Sequence, residues 1–183
     1  FLSPQQYRPY PSPLQQLYIA QAPLNALPPP LQSDLPTLEL VKTAGKGDVY
    51  NSSVWLGLAP TYTPWHRDPN PNLFCQMVGS KVVRLLPPRL GEHLFHRARA
   101  QLGQSTGGSS RIRGEEMMQG EERRVLLEAV WGDSEEGGGV PDEMREVILG
   151  PRDMLFIPKG WWHSVKSLGE DGRLNASVNW WFR

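Results

Sequence analysis

Short segments rich in β-branched and aromatic residues recur in two parts of this 183-residue chain, and they constrain its fold more than any other feature. The first part contains VYNSSVWLGL, LFCQMVG and KVVRLLPP, and the second contains EVILG, DMLFIP, WWHSVKSL and NASVNWWFR. Segments of this length and composition, separated by turn residues, are typical of β-strands. Many short strands in one chain predict a sandwich or barrel of antiparallel strands.

More local features predict one turn and two helices. Gly79-Ser80, between LFCQMV and KVVRLL, predicts a tight hairpin turn because glycine accepts positive φ. Apolar residues at near-helical spacing in EERRVLLEAVW predict a short amphipathic helix. A further short helix is predicted around Pro13 to Ile19.

The composition along the chain predicts a single domain over residues 1–183. Residues 1–48 form a proline-rich N-terminal part, which disfavours long helices. The strand-rich core occupies 49–88 and 147–183 and is interrupted by a loop-rich insert over 89–146. The insert contains GQSTGGSSRIRGEE and GDSEEGGG, and both are interpreted as surface loops.

Charge and cysteine content narrow the class of protein. The 19 basic and 19 acidic residues give a formal charge of zero, so nucleic acid is not indicated as a partner. The single cysteine, Cys75, cannot form an internal disulfide, which favours an intracellular protein of the cytoplasm or nucleus. No apolar run approaches the roughly 18 residues of a membrane span. The chain does not begin with methionine, and we expect it to be a fragment.

The stretch TPWHRDPNPN contains a candidate metal-binding pair, His66 and Asp68. Side chains at i and i+2 of a strand point to the same face, so these two can converge on one ion. A loop histidine beside a solvated aspartate would produce the same pattern. The pair therefore needs a third ligand from elsewhere in the chain.

Three other histidines could supply that ligand. His93 and His96 have the i,i+3 spacing of a solvated helical face and lie beside arginines. His163 follows an apolar strand and a turn at Lys159-Gly160, and it begins a new strand after two tryptophans. His163 is the better candidate, although a buried histidine that only makes hydrogen bonds would fit this segment too.

Two histidines and one carboxylate with open coordination positions form the facial triad of non-haem Fe(II) oxygenases. A zinc hydrolase could use the same three ligand types with a bound water. The spacing of the residues does not choose between the two.

A longer sequence resemblance favours the Fe(II) oxygenase over the zinc hydrolase. TPWHRDPNPNLFCQMVGSKVVRLLPP, together with DMLFIPKGWWHSVKSL and SVNWWF, resembles the JmjC-type, cupin-8-like Fe(II)- and 2-oxoglutarate-dependent oxygenases, which include the asparaginyl hydroxylase that inhibits hypoxia-inducible factor. The resemblance covers residues 49–88 and 147–183. It implies a mainly β fold, the double-stranded β-helix or cupin-like jelly-roll, with a few short helices.

The resemblance also implies a role for individual residues. His66, Asp68 and His163 correspond to the Fe(II) ligands of the family. Lys81 corresponds to the lysine that binds the distal carboxylate of 2-oxoglutarate, and Thr63 to a threonine that donates a hydrogen bond to it. A buried dicarboxylate needs such a cation, because an unpaired buried charge costs roughly 3–5 kcal/mol.

Five further positions match residues around the co-substrate. Asn72 and Asn179 correspond to polar residues that border the co-substrate. Phe74 and Trp181 correspond to aromatic residues that pack near it, and Tyr50 to a tyrosine that supplies another hydroxyl.

The implied activity is hydroxylation of a protein side chain, using dioxygen and 2-oxoglutarate and releasing succinate and CO2. The implied partner is a protein or peptide substrate, and we expect a monomer or weak oligomer. Demethylation of N-methyl-lysine, and hydroxylation of a tRNA base or small molecule, remain alternatives within the class. From a different class, a non-enzymatic cupin-like binding module would predict a decayed metal site.

Overall fold

The computed structural model describes residues 17–103, 120–132, 141–169 and 171–183. These residues form nine strands: β1 (Tyr18–Pro23), β2 (Val49–Leu58), β3 (Tyr62–Arg67), β4 (Asn72–Val78), β5 (Lys81–Leu86), β6 (Arg145–Leu149), β7 (Met154–Ile157), β8 (Trp162–Ser167) and β9 (Leu174–Phe182). They also form a 3₁₀ turn (Leu24–Ala26) and four helices: α1 (Pro29–Asp34), α2 (Glu39–Thr43), α3 (Pro88–Ala100) and α4 (Gly120–Trp131). Among them, no helix has the length and apolar character needed to cross a bilayer.

The strands form two antiparallel sheets. The larger sheet has the order β1-β2-β9-β4-β7 and the smaller has the order β3-β8-β5-β6. From β2 to β5 and from β6 to β9, each strand lies in the opposite sheet from the one before it. The prediction of a mainly β, double-stranded β-helix is confirmed.

The turn at Gly79-Ser80 has a different role from the predicted one. Gly79 does adopt positive φ, at 68°. However, β4 pairs with β7 and β9, whereas β5 pairs with β6 and β8. The hairpin prediction was therefore wrong, and this turn carries the chain from the larger sheet to the smaller one.

The space between the sheets is filled by apolar side chains on one side only. This cluster contains Phe74, Val83, Leu85, Leu149, Ile157 and Val165. The other side of the interior is polar, because alternate residues of β9, Ser177 and Asn179, are buried there with little exposure. Burying polar groups is tolerated when they are hydrogen-bonded.

Helical layers cover the outer faces of both sheets. On the larger sheet, an apolar cluster joins Leu24 and Val41 to Trp180 and Phe182 of β9. On the smaller sheet, α3 and α4 pack over Trp65 and neighbouring residues. Helix α4 corresponds to the helix predicted in EERRVLLEAVW.

Two predictions outside the core need correction. The insert over 89–146 is more than loop, because its described residues include most of α3 and all of α4. The Gly-Ser-rich loops predicted there lie almost entirely outside the described residues. The helix predicted around Pro13 to Ile19 was wrong for Tyr18 and Ile19, which begin β1; residues 13–16 are outside the described residues.

Helix α3 approaches the smaller sheet closely at Gly91. The indole of Trp162 lies between Trp65, at 6.0 Å between ring centroids, and Phe95, at 4.9 Å. The Trp65 Nε1–H donates a hydrogen bond to the Gly91 carbonyl at 3.0 Å. A Cβ at position 91 would lie 2.3 Å from Trp162 ring atoms. Only glycine therefore allows the helix to seat against this tryptophan.

We expect Gly91→Ala to lower the free energy of unfolding by about 1–3 kcal/mol through overpacking, although alanine favours a helix by about 1 kcal/mol. Urea denaturation followed by tryptophan fluorescence measures the difference. His93→Ala, at an exposed position of the same helix, is the control and should change little. An alanine variant as stable as the parent would contradict the close packing.

Candidate metal and dicarboxylate site

The pairing of β3 with β8 brings two histidines together. In this antiparallel pair, His66 lies directly opposite His163, 97 residues later in the chain. Their ring centroids are 4.1 Å apart. Asp68 follows the end of β3, and one donor atom from each of the three residues lies within 4.8 Å of the others. Sequence-distant side chains thus form one possible metal-binding group.

Backbone hydrogen bonds orient both imidazoles. Nδ1 of His66 lies 2.7 Å from the Pro64 carbonyl, and Nδ1 of His163 lies 3.2 Å from the Trp161 carbonyl. A carbonyl oxygen can only accept, so in the neutral imidazole the proton sits on Nδ1 and the Nε2 lone pair is free. This is the tautomer that a metal ligand needs.

The carboxylate of Asp68 is held from behind. Its Oδ2 accepts hydrogen bonds from Trp181 Nε1 at 2.7 Å and from Asn72 Nδ2 at 2.9 Å. Asn179 Nδ2 in turn donates to Asn72 Oδ1 at 2.8 Å. Oδ1 of Asp68 lies 3.9 Å from His66 Nε2. With Oδ2 occupied by two donors, Oδ1 is the oxygen left for a metal ion.

The electrostatics keep His66 and Asp68 ready for a cation. Burial, followed by repulsion from His163, lowers the pKa of His66 to about 4. Burial alone would raise the pKa of Asp68, but His163, His66 and the hydrogen bonds from Trp181 and Asn72 outweigh it and lower that pKa. A neutral imidazole and an ionised carboxylate bind metal without first losing a proton. The donor set therefore fits a divalent ion such as Fe(II) or Zn(II).

The metal-binding group opens onto a cavity between the sheets. Predicted site residues that line it are Thr63, His66, Asn72, Phe74, Lys81, His163, Asn179 and Trp181. Tyr18, Trp55, Val165 and Ser177 complete the lining. The structure thus brings together most of the residues singled out in the sequence.

Lys81 is the cation of this cavity. The residue is 2% exposed, and its Nζ donates to Ser177 Oγ at 2.6 Å. The Phe74 ring lies 5.5 Å from Nζ. Within the described part of the chain, no carboxylate lies within 4 Å of Nζ to pair with it. Burial lowers the pKa of Lys81 to about 7.

A buried amine without a counter-ion is costly, and an entering anion would offset that cost. The same cavity holds a metal-binding group and this amine, so it fits a ligand that both chelates metal and carries a distant carboxylate. 2-Oxoglutarate is such a ligand.

Tyr18 provides the tyrosine hydroxyl of the cavity. Its Oη lies 2.9 Å from Thr63 Oγ1, the hydroxyl assigned to the same carboxylate. Tyr50 does not reach this cavity: its side chain is exposed, and the Arg183 guanidinium lies 5.0 Å from its ring centroid. The structure therefore corrects the assignment of Tyr50 in favour of Tyr18.

Sequence reasoning missed four lining residues, Tyr18, Trp55, Val165 and Ser177. Ser177 had a usable signal, because it precedes Asn179 and Trp181 at the two-residue spacing of one strand face. Trp55 lies on the same face of β2 as the buried Ser53, and a buried tryptophan in a strand is equally typical of core packing, so it carried no distinct signal. Tyr18 had no comparable signal, because it was assigned to a helix.

Replacing Trp181 by phenylalanine removes the indole donor to Asp68 and keeps an aromatic ring. We expect Trp181→Phe to weaken metal binding by roughly 10–100-fold, as for other residues that orient a ligand. Titration with Mn(II) followed by water proton relaxation measures the affinity.

The control is Trp180→Phe at the next position. The Nε1 of Trp180 is buried and has no hydrogen-bond partner among the described residues, so its removal should leave metal affinity unchanged. Equal affinities for the two variants would contradict the role assigned to the indole of Trp181.

Several known proteins are similar in sequence to this chain. The lysine-specific demethylase JMJ30 of Arabidopsis thaliana is 30% identical over 171 residues, which are 93% of this chain and 34% of that protein. The Jumonji C domain-containing protein 5 of Drosophila melanogaster is 30% identical over 170 residues, 90% of this chain and 36% of that protein. The chain thus spans about a third of the length of these curated relatives.

A solved structure of a cupin superfamily protein from Desulfitobacterium hafniense covers 76% of this chain, and the match covers 71% of that protein. It is 10% identical, with a TM-score of 0.36. The cupin-like domain family, known also as the JmjC-like cupin-8 family, matches residues 3–183. Because that match takes in nearly the whole sequence, the chain belongs to the cupin-like domain family.

Proposed function

We propose that this chain is an Fe(II)- and 2-oxoglutarate-dependent dioxygenase that hydroxylates a protein side chain. One observation carries the proposal: both histidines of a His-Asp-His group line the same cavity as a buried lysine that has no carboxylate partner among the described residues. Together they match the two ends of a metal-chelating dicarboxylate.

Each residue has a definite task in this proposal. Bound Fe(II) and 2-oxoglutarate supply dioxygen activation coupled to oxidative decarboxylation. Nε2 of His66, Nε2 of His163 and Oδ1 of Asp68 hold the ion. Lys81 and Thr63, with Tyr18 beside it, hold the far carboxylate.

The remaining residues of the cavity orient these groups and exclude water. Asn72 and Trp181 fix the rotation of the Asp68 carboxylate. With His66, Asp68 and His163 as its protein ligands, a bound Fe(II) would keep coordination positions for the co-substrate and dioxygen. The walls formed by Trp55 and Phe74 are apolar, and their burial keeps bulk water from the reacting centre.

The family context supports the oxygenase class. The names of some relatives, such as lysine-specific demethylase JMJ30, favour a second candidate, demethylation of N-methyl-lysine. Both reactions begin with hydroxylation of a carbon next to the metal. A non-enzymatic binding module is less favoured, because a decayed site would not retain the His-Asp-His group beside a cavity that Lys81 and Thr63 also line.

Anaerobic addition of Fe(II) and 2-oxoglutarate should produce a weak visible charge-transfer band, and oxygen should then yield succinate. We expect His66→Ala and Asp68→Ala to lose both signals, because each removes a metal ligand. His96→Ala, on α3, is a histidine control that should retain them. Absence of the band and of succinate in the parent protein would exclude the oxygenase assignment.

Lys81→Ala should separate co-substrate binding from metal binding. Loss of a charged hydrogen bond of about 1.4–2.8 kcal/mol raises the 2-oxoglutarate requirement by roughly 10–100-fold. Metal affinity should stay within a factor of a few, because Lys81 does not contact the ligands. Steady-state succinate assays and metal titration read the two quantities, and an unchanged 2-oxoglutarate requirement would remove Lys81 from the proposal.

Mass spectrometry of peptide substrates distinguishes the two candidate reactions. A side-chain hydroxylase adds 16 Da, whereas a demethylase removes 14 Da from methylated lysine and releases formaldehyde. We expect the gain of 16 Da on unmethylated peptides, and only under oxygen with Fe(II) and 2-oxoglutarate. A loss of 14 Da confined to methyl-lysine peptides would favour the demethylase instead.

A further inference from the structure

Lys81 lies in surroundings that oppose a positive charge. Its Nζ has one short polar contact, the neutral hydroxyl of Ser177, and an aromatic ring on another side. An ammonium group has three donors and is stable in a protein interior only when oxygen acceptors or anions surround it. Without a bound ligand, this site provides neither in sufficient number.

The titratable groups that face Lys81 from the neighbouring strands give no anion. Among the residues that line the cavity, they are Tyr18 on β1, His66 on β3 and His163 on β8; the lining residues of β2, β4 and β9 are not titratable. Burial raises the pKa of Tyr18 to about 12, so its hydroxyl is neutral at physiological pH. The two imidazoles carry no negative charge, and the Asp68 carboxylate is engaged by Trp181 and Asn72.

We infer that Lys81 loses its proton readily in the ligand-free protein and takes one up when a dicarboxylate enters the cavity. This inference rests on the proposed function, since 2-oxoglutarate is the dicarboxylate. The proton adds to the Nζ lone pair and comes from solvent or buffer, and no covalent bond is made to the ligand. Co-substrate affinity thereby becomes dependent on pH, although 2-oxoglutarate itself stays a dianion above pH 6.

The effect on affinity follows from linkage. Burial lowers the pKa of Lys81 in the free protein from 10.5 to about 7. A carboxylate partner favours the charged form and raises that pKa again. Binding should then take up roughly 0.1 proton at pH 6, about 0.5 at pH 7 and about 0.9 at pH 8. The dissociation constant should rise roughly 50-fold between pH 7 and pH 9.

The ligand-free protein offers a separate signature. Between pH 7 and pH 10.5, the unfolded chain binds more protons at this lysine than the folded one does. The free energy of unfolding therefore rises with pH across that window. Below pH 7 the buried, protonated Lys81 destabilises the ligand-free fold by its full amount. Lys81→Met removes the titrating group and keeps an unbranched side chain. Its Tm relative to the parent should be raised most at pH 6 and progressively less towards pH 10.

The decisive experiment is isothermal titration calorimetry of 2-oxoglutarate into the Mn(II)-loaded protein under nitrogen. Titrations at pH 6, 7, 8 and 9 in buffers of different ionisation enthalpy give the number of protons taken up. Loading with metal keeps both histidines unprotonated on Nε2, so Lys81 is the titrating group. Lys46→Met, which replaces an exposed lysine, is the matched control and should reproduce the parent curves.

The outcomes separate this inference from the proposed function. Proton uptake that rises from roughly 0.1 at pH 6 to about 0.9 at pH 8 would support the inference. A Tm difference between Lys81→Met and the parent that shrinks as pH rises would support it as well. Binding without proton uptake, and with a dissociation constant that changes by less than about twofold between pH 6 and pH 9, would overturn the inference and leave the oxygenase proposal intact. No binding at any pH would overturn both, and a Tm difference that does not vary with pH would overturn the inference on its own.

Discussion

The register between β3 and β8 is the constraint on which the site depends. A strand's side chains alternate between its two faces, so a slip of one residue would point one of the two histidines away from the cavity. The same register places Trp162, next to His163, in the apolar cluster under α3. The burial of Trp162 and the orientation of His163 towards the cavity therefore depend on the same strand register. Helices α3 and α4 stabilise the pairing from outside, although neither supplies a residue to the metal-binding group.

The interior is divided between two kinds of packing. Apolar residues fill one side of the space between the sheets, and hydrogen-bonded polar residues fill the other. The polar side is built largely from β9, where Ser177 contacts the lysine and Trp181 contacts the carboxylate. One strand thus connects the end of the cavity proposed to bind an anion to the end proposed to bind a metal ion. This arrangement keeps the distance between the two ends fixed, as recognition of a ligand of defined length requires.

The sequence predicts the strands of this structure better than it predicts which strands pair and which side chains line the cavity. Strands β2, β4, β5 and β9 were recognisable, because their β-branched and aromatic content reflects local preference. The sheet change at Gly79 was not, because a glycine turn has the same local chemistry whichever strand follows as a partner. Tyr50 does not reach the cavity because side chains alternate along β2: Ser53 and Trp55 are buried on one face, and Tyr50 lies on the other. Tyr18 lies on an edge strand in a proline-rich region, where no periodic pattern reveals a strand.

The crossing of the chain between the two sheets has a consequence for folding. Neighbouring strands in each sheet come mostly from distant parts of the sequence, so the contact order is high and folding is expected to be slow. During synthesis, His66 leaves the ribosome well before its partner strand has been made. A metal ion cannot be bound by all three ligands until both sheets have closed on each other. A metal ion would therefore be acquired by the folded chain and not by a growing one, and its binding would report that the whole jelly-roll has formed.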